Sequence, residues 1–269
     1  LGRRMIPLTN DKRMLGYELL NSYPNISHFV TTRLGGCSKG NYASFNCTHY
    51  TGDDLEDVYQ NQQLLIDSLA CRPSKLVIPR QTHNTEVRII TSPVDYTDEA
   101  LQGVDALITN QPGYCLCIST ADCIPVLLYD YKENVVAAIH AGWRGTVEGI
   151  VAKTLQLMQQ TYHSAGENII ACIGPGISVA SFEVGNEVYE AFQKKGFDMN
   201  KVAQFNQHTK KYHIDLWEAN RMQLKDFGIP DSQIECAEIC TYHEHNLFFS
   251  ARRLGIHSGR ILSGIMINS

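Results

Sequence analysis

Residues 115–130, CLCISTADCIPVLLYD, and residues 134–145, NVVAAIHAGWRG, decide how this chain folds. Each carries a hydrophobic, strand-like run with β-branched enrichment. After Gly142 the period changes: Val147, Ile150, Val151, Leu155 and Met158 recur at the spacing of an amphipathic helix. Working upstream, LVIPRQTH (76–83) is a further strand-like run. Residues 75–141 together hold four or five such runs, separated by turn signals such as Asn110-Gln-Pro-Gly113. Nearer the front, ISHFVTTRL (26–34) predicts a strand, followed by a loop rich in Gly, Ser and Asn as far as about Asp54. A helix then starts at Asp53 or Asp54. Glu56, three residues after Asp53, resembles a capping box, and Leu55, Val58, Gln62, Leu65 and Leu69 give one mostly apolar face.

Downstream, IIACIGP (169–175) returns to strand, and Val184, Val188, Ala191 and Phe192 mark another helix. A helix over 215–227 and strands at 233–240, 246–252 and 261–268 complete the expectation. Strands in clusters, with helices between the clusters, argue for an α+β fold and against regular βαβ alternation. No internal repeat or low-complexity linker divides the 269 residues, so residues 1–269 are expected to form a single domain with its core at about 26–268.

The composition excludes several classes. Hydrophobic residues make up 43% and charged residues 19%, as in ordinary globular chains. With 23 basic and 28 acidic side chains the net charge is −5, and basic runs stop at pairs such as Lys210-Lys211, so no nucleic-acid partner is expected. No apolar stretch approaches the roughly 18 residues of a membrane span, so no membrane association is expected. LGRRMIPLTN at the front lacks the apolar segment of a signal peptide, and the chain reads as cytoplasmic, a monomer or weak homo-oligomer. Nine scattered cysteines with no CxxC pair fit reduced thiols, and Cys115 and Cys117 read as inert buried ones.

His83, Cys123 and His140 each lie at or just beyond a strand-like run. Imidazole and thiolate hold zinc, and three protein ligands leave a coordination position for water or substrate. Gly142 and Gly145 flank the start of the helix after His140. Backbone brought close there, unpaired N–H groups and Arg144 together suit a phosphate. Arg33 and Asn46 are candidate substrate contacts, although turn chemistry alone explains their loop. His243 and His245 form a possible second metal pair, for which exposed loop histidines are the commoner reading. One of Arg252 and Arg253 is expected to pair internally.

The segments around these three residues, with TTRLGGCSKGNYASFN (31–46) and FFSARRLGIHSGR (248–260), resemble the YfiH-type laccase-domain family. Five motifs occur in the family's order, from about Phe29 to Ile267. The resemblance implies α/β/β/α layers with two mixed β-sheets, a CNF/YfiH-like fold. It also implies phosphorolysis of adenosine, inosine, guanosine and methylthioadenosine to free base and ribose 1-phosphate, together with deamination of adenosine. The substrates would then be purine nucleosides and phosphate. Carried over, the metal ligands are His83, Cys123 and His140, with Cys123 also the essential thiol and zinc the expected ion, copper the alternative. The chain departs from the family in reading Ile173-Gly-Pro-Gly-Ile177 where members often have IGPCI, and Phe45-Asn46-Cys47 where they have Leu-Asn-Leu.

Two other chemistries fit the same residues. Cys123 with His140 as base would make a thiol hydrolase. A copper polyphenol oxidase would need several His-x-His pairs, and only His243 and His245 qualify. The H-x-E and P-C-x-x-C signature of nucleobase deaminases is absent, so a general base must come from elsewhere.

Overall fold

The computed structural model describes residues 5–91, 97 and 99–269. The chain runs β1 (Ile6–Pro7), β2 (Met14–Gly16), α1 (Glu18–Asn21), β3 (Ile26–Thr31), α2 (Leu55–Ser68), β4 (Lys75–Val77), β5 (Val87–Ile89) and β6 (Ala106–Thr109). It continues through β7 (Tyr114–Thr120), β8 (Ile124–Asp130), β9 (Val135–Ala141), α3 (Trp143–Val147), α4 (Ile150–Tyr162) and β10 (Ile169–Ile173). The rest is β11 (Glu183–Val184), α5 (Asn186–Lys194), α6 (Met199–Val202), β12 (Ala203–Asn206), β13 (Lys211–Ile214), α7 (Leu216–Asp226), β14 (Ile234–Cys236), α8 (Ala251–Leu254) and β15 (Ile261–Ile267).

Two mixed six-stranded sheets form the centre, in the orders β1-β2-β3-β15-β7-β4 and β14-β10-β8-β9-β6-β5. In the first, only β4 and β7 pair in parallel; in the second, β10 with β14 and β5 with β6 do so. A small antiparallel sheet, β11-β13-β12, stands apart.

Strand alternation builds the layers. In β7, Leu116 and Ile118 face the core between the sheets, while Cys115 and Cys117 face the other way, into the core shared with Leu65 of α2. In β8 and β9, Leu127, Tyr129, Val136 and Ala138 join the inter-sheet core. Val126, Leu128, Ala137 and Ile139 pack beneath α4, α5 and α7. Both faces of the central strands are covered, so they read as continuous apolar runs without polar alternation. The result is the expected α/β/β/α arrangement, and among the described residues no helix is long and apolar enough to cross a membrane.

Several local expectations change. Asp54 caps α2, accepting from the backbone N–H of Glu56 at 2.8 Å. Asp53 instead accepts from Ser38 Oγ at 2.6 Å, so no capping box forms. The helical run after Gly142 breaks into α3 and α4 at Gly149, whose φ of 79° no continuous helix tolerates. The expected strand at 233–240 is β14 alone, Ile234–Cys236. The expected strand at 246–252 is instead a turn leading into α8. Phe248 and Phe249 are both fully buried, which a strand with alternating faces at a surface would not permit. Ser250 caps the short helix by accepting from Arg253 N.

Candidate active site

The site sits where the chain passes between the sheets. β7 of the first sheet leads into β8 of the second through Ala121, Asp122 and Cys123. His83 lies on another crossing, between β4 and β5. In the β8–β9 ladder Ile124 faces Ala141 and Pro125 faces His140, so Cys123 emerges beside the end of β9. One ligating atom each from His83, Cys123 and His140 lie within 4.8 Å of one another. The two imidazoles meet edge to face, with centroids 4.9 Å apart.

A buried carboxylate organises both rings. Asp105, fully buried, accepts from His140 Nδ1 at 2.7 Å and from the backbone N–H groups of Thr82 and His83 at 3.0 Å each. A carboxylate only accepts, so Nδ1 carries the proton and Nε2 is the nitrogen left to ligate. His83 has a φ of 64°, a region costly for a non-glycine residue, and the Asp105 clamp holds it there. Asp122, with φ of 96°, is pinned in the same way. Its carboxylate accepts from Thr241 Oγ1 at 2.7 Å, Arg252 N at 2.8 Å and Ser250 Oγ at 3.0 Å.

Burial alone would raise the Cys123 thiol, but the imidazoles of His140 and His83 outweigh it and bring the pKa down to about 6. Burial would lower His140, yet the Cys123 sulfur and Asp105 lift it to about 9. Without a metal the pair therefore favours thiolate and imidazolium. Gly142 leaves little room: a Cβ there would stand 3.1 Å from His83 Cδ2 and 3.2 Å from Cys123 Sγ, so both side chains would have to give by a few tenths of an ångström.

These residues floor a cleft of about 570 Å³. Its two walls come from different sheets. Tyr50, Arg80, Gln81, Ser119, Thr120 and Arg260 belong to the first sheet and its flanks, while Trp143, Ile177, Phe182 and Leu216 belong to the second. The first wall is mainly polar and basic; the second is mainly apolar, with Arg252 lying over its Phe182 ring.

The remaining sequence candidates lie elsewhere. Arg33 is not among the cleft residues. Its guanidinium donates to Ala43 O at 2.8 Å and His245 O at 2.9 Å and lies 4.8 Å over the Phe249 ring, bracing two loops. Asn46 is fully buried. Its amide donates to Thr48 O, Thr51 Oγ1 and Asp53 Oδ2, and its oxygen accepts from Arg260 N at 3.1 Å. Asn46 thus reaches the cleft only through Arg260. Arg144 stacks 4.5 Å over Trp143 and lines an adjoining pocket with His83, Asn84 and Glu148. His243 and His245 join no metal-capable group among the described residues, which contain all ten histidines. Arg252 does pair internally, donating to Glu183 O at 3.0 Å. The sequence reading missed Asp105, whose only signal was a carboxylate beside the apolar strand Ala106–Thr109, and gave no weight to Arg80 or Arg260.

A family described as multi-copper polyphenol oxidoreductase laccase matches residues 27–268. The chain belongs to this family. It is 62% identical over 269 residues to a purine nucleoside phosphorylase of Bacteroides thetaiotaomicron, covering 98% of this chain and all of that one. It is 40% identical to adenosine deaminase RL5 from an unknown prokaryotic organism, over 92% of this chain and 96% of that one. Among solved structures, YfiH of Bacillus licheniformis superimposes with a TM-score of 0.88 at 30% identity, covering 95% and 97% of the two chains. Within this laccase-domain family, the His83–Cys123–His140 cluster is where a metal fits: the donors are soft and borderline, the tautomer of His140 is fixed, and the thiol is already biased towards thiolate.

Proposed function

We propose that this protein is a purine nucleoside phosphorylase that also deaminates adenosine, with His83, Cys123 and His140 as its catalytic and metal-holding residues. The observation that carries this reading is the convergence of two imidazoles and a partly exposed thiol at the meeting of an aromatic and a basic wall. The names of the two relatives support it. A zinc ion held by these three residues would supply Lewis acidity and acidify water. Trp143 and Phe182 offer ring faces for a purine. Asp105 keeps the His140 ring oriented, and Asp122 fixes the turn that presents Cys123.

The substrates proposed are adenosine, inosine, guanosine and methylthioadenosine. In phosphorolysis an oxygen of hydrogen phosphate bonds to ribose C1′ as the C1′–N9 bond breaks. The bonding pair stays on the purine, which takes the proton of the hydrogen phosphate, and ribose 1-phosphate leaves. In deamination water adds at C6 and ammonia departs, giving inosine. Arg144 is a candidate contact in the adjoining pocket, while Arg33 and Asn46 act on substrate through the loops they brace. The protein is read as a cytoplasmic monomer or weak homo-oligomer.

The test is product analysis with adenosine, with and without phosphate, on metal-quantified protein. Adenine with ribose 1-phosphate is expected in phosphate and inosine without it; neither product would overturn the reading. A second reading has one specific observation in its favour: Cys123, His140 and Asp105 line up as nucleophile, base and orienting carboxylate. A thiol hydrolase would keep its activity through chelation, whereas the metal-dependent enzyme would lose it.

A further inference from the structure

The chain carries a net charge of −5, yet the arginines and acids lining its main cleft are Arg80, Arg252 and Arg260 against the single carboxylate of Asp122. That carboxylate is consumed by Thr241, Ser250 and the Arg252 backbone. The Arg252 guanidinium is directed to the carbonyls of Ser181 and Glu183 and lies 5.2 Å over Phe182. Arg260 is different. It is half-buried, and its guanidinium donates to neutral oxygens: Ser258 O at 2.7 Å, Ile256 O at 2.9 Å, Gly259 O at 3.0 Å and Ser258 Oγ at 3.2 Å. Among the described residues no carboxylate pairs with it. The Cys123 thiol and the Asp122 carboxylate act on it only through space, so an anion bound in the cleft would be its first direct ionic partner.

A second, independent observation falls on the same wall. Thr120 ends β7 directly opposite Ile261, the neighbour of Arg260. It is 1% exposed, lines the cleft, and its Oγ1 is buried with no hydrogen-bond partner among the described residues. Buried hydroxyls are almost always paired, and an orphan on a cleft wall marks where a ligand or water completes it. Arg80, 5.7 Å over the Tyr50 ring, closes this end.

We propose that the first-sheet wall of the cleft, formed by Arg80, Thr120 and Arg260, is an oxyanion subsite that takes the inorganic phosphate of the reaction. This rests on the phosphorylase reading and moves the anion from Arg144 in the adjoining pocket to the opposite wall from the aromatic residues. Phosphate placed there shares a cleft with a purine stacked on Trp143, so both reactants lie over one floor.

Arg260 also clasps its own loop, so the test uses Thr120→Val, which removes only an unpartnered hydroxyl, and Arg80→Met at an exposed position. Each variant is expected to raise the KM for inorganic phosphate about tenfold, the size of one hydrogen bond to a charged group. The KM for the nucleoside should stay within twofold, and Thr120→Val should melt no lower than wild type. Unchanged phosphate KM in both variants, or a tenfold rise in Arg144→Ala alone, overturns the subsite. A nucleoside 5′-monophosphate would satisfy the same donors. If the variants impair its turnover and leave the KM for inorganic phosphate unchanged, the assignment to free phosphate is overturned. Calorimetric titration with inorganic phosphate separates the two readings. Wild type that binds phosphate, loses binding in both variants, and yet releases base without phosphate keeps the subsite and sinks the phosphorylase reading.

Discussion

Replacing Asp105 by Asn probes how the site is held. The carboxylate accepts three hydrogen bonds, at 2.7, 3.0 and 3.0 Å, and has no exposed surface. An amide of the same shape offers one oxygen and one NH₂. In the carboxylate, Oδ1 accepts from Thr82 N, and Oδ2 accepts from both His83 N and His140 Nδ1. If the amide oxygen takes the Oδ1 place, its NH₂ opposes the His83 N–H and faces His140 Nδ1, which must then give up its proton. The ring switches tautomer, Nε2 becomes an N–H, and His140 can no longer ligate. If the oxygen takes the Oδ2 place, His83 and His140 keep their acceptor, but the NH₂ opposes the Thr82 N–H and loosens the positive-φ turn at His83. Loss of an orienting partner costs roughly 10–100-fold in metal affinity, about 1.4–2.7 kcal/mol, and the second arrangement, which keeps the tautomer, places Asp105→Asn at the lower end. The assay is competition for zinc against a chromophoric chelator, with thermal melting of the metal-free protein alongside. Asp105→Asn binding zinc within twofold of wild type would refute the account of Asp105.

Other outcomes follow from the same geometry. In metal-free protein, Cys123 should react with iodoacetamide half-maximally near pH 6, the thiolate fraction rising with pH, and His140→Ala should move that midpoint upward; peptide mapping reads both. Gly142→Ala should leave the fold intact but weaken metal binding at least tenfold, because its methyl would press on Cys123 Sγ and His83; unchanged zinc affinity would count against the close approach. His28 is 6% exposed, accepts from Tyr17 N at 2.8 Å through Nε2, and burial holds its pKa at about 4. Unfolding therefore takes up a proton between pH 6.5 and 4, so stability is full above 6.5 and falls as pH drops, by about 3 kcal/mol at most. Denaturant titrations at pH 7 and 4.5 should show that fall shrink in His28→Gln. Leu127→Ala, at the centre of the inter-sheet core, should cost about 2–5 kcal/mol by chemical denaturation.

Legibility along the chain followed local constraint. The runs at 115–120, 124–130 and 135–141 are strands because β-branched and apolar side chains fill both faces, and that shows in the residues themselves. The segment 246–252 looked similar, yet its phenylalanines are anchors beneath a turn, a role set by what packs around them. Asn46 and Arg33 stood out as polar residues in a glycine-rich loop. Their partners, Arg260 for one and His245 for the other, are more than two hundred residues away. Side chains that spend their hydrogen bonds on distant backbone cannot be told from ligand contacts until the fold brings that backbone to them.

By itself the sequence determined the α+β class and the strand clusters, and it singled out the three side chains that the fold brings together, since hydrophobic period and side-chain chemistry are properties of residues and near neighbours. Only the tertiary structure decided that Asp105 grips both histidines, that a side chain at Gly142 would press on Cys123 and His83, and that Arg80 and Arg260 share one wall of the cleft. Those features arise where two sheets meet, and the distances across that junction depend on how the layers pack, which no local stretch of chain encodes.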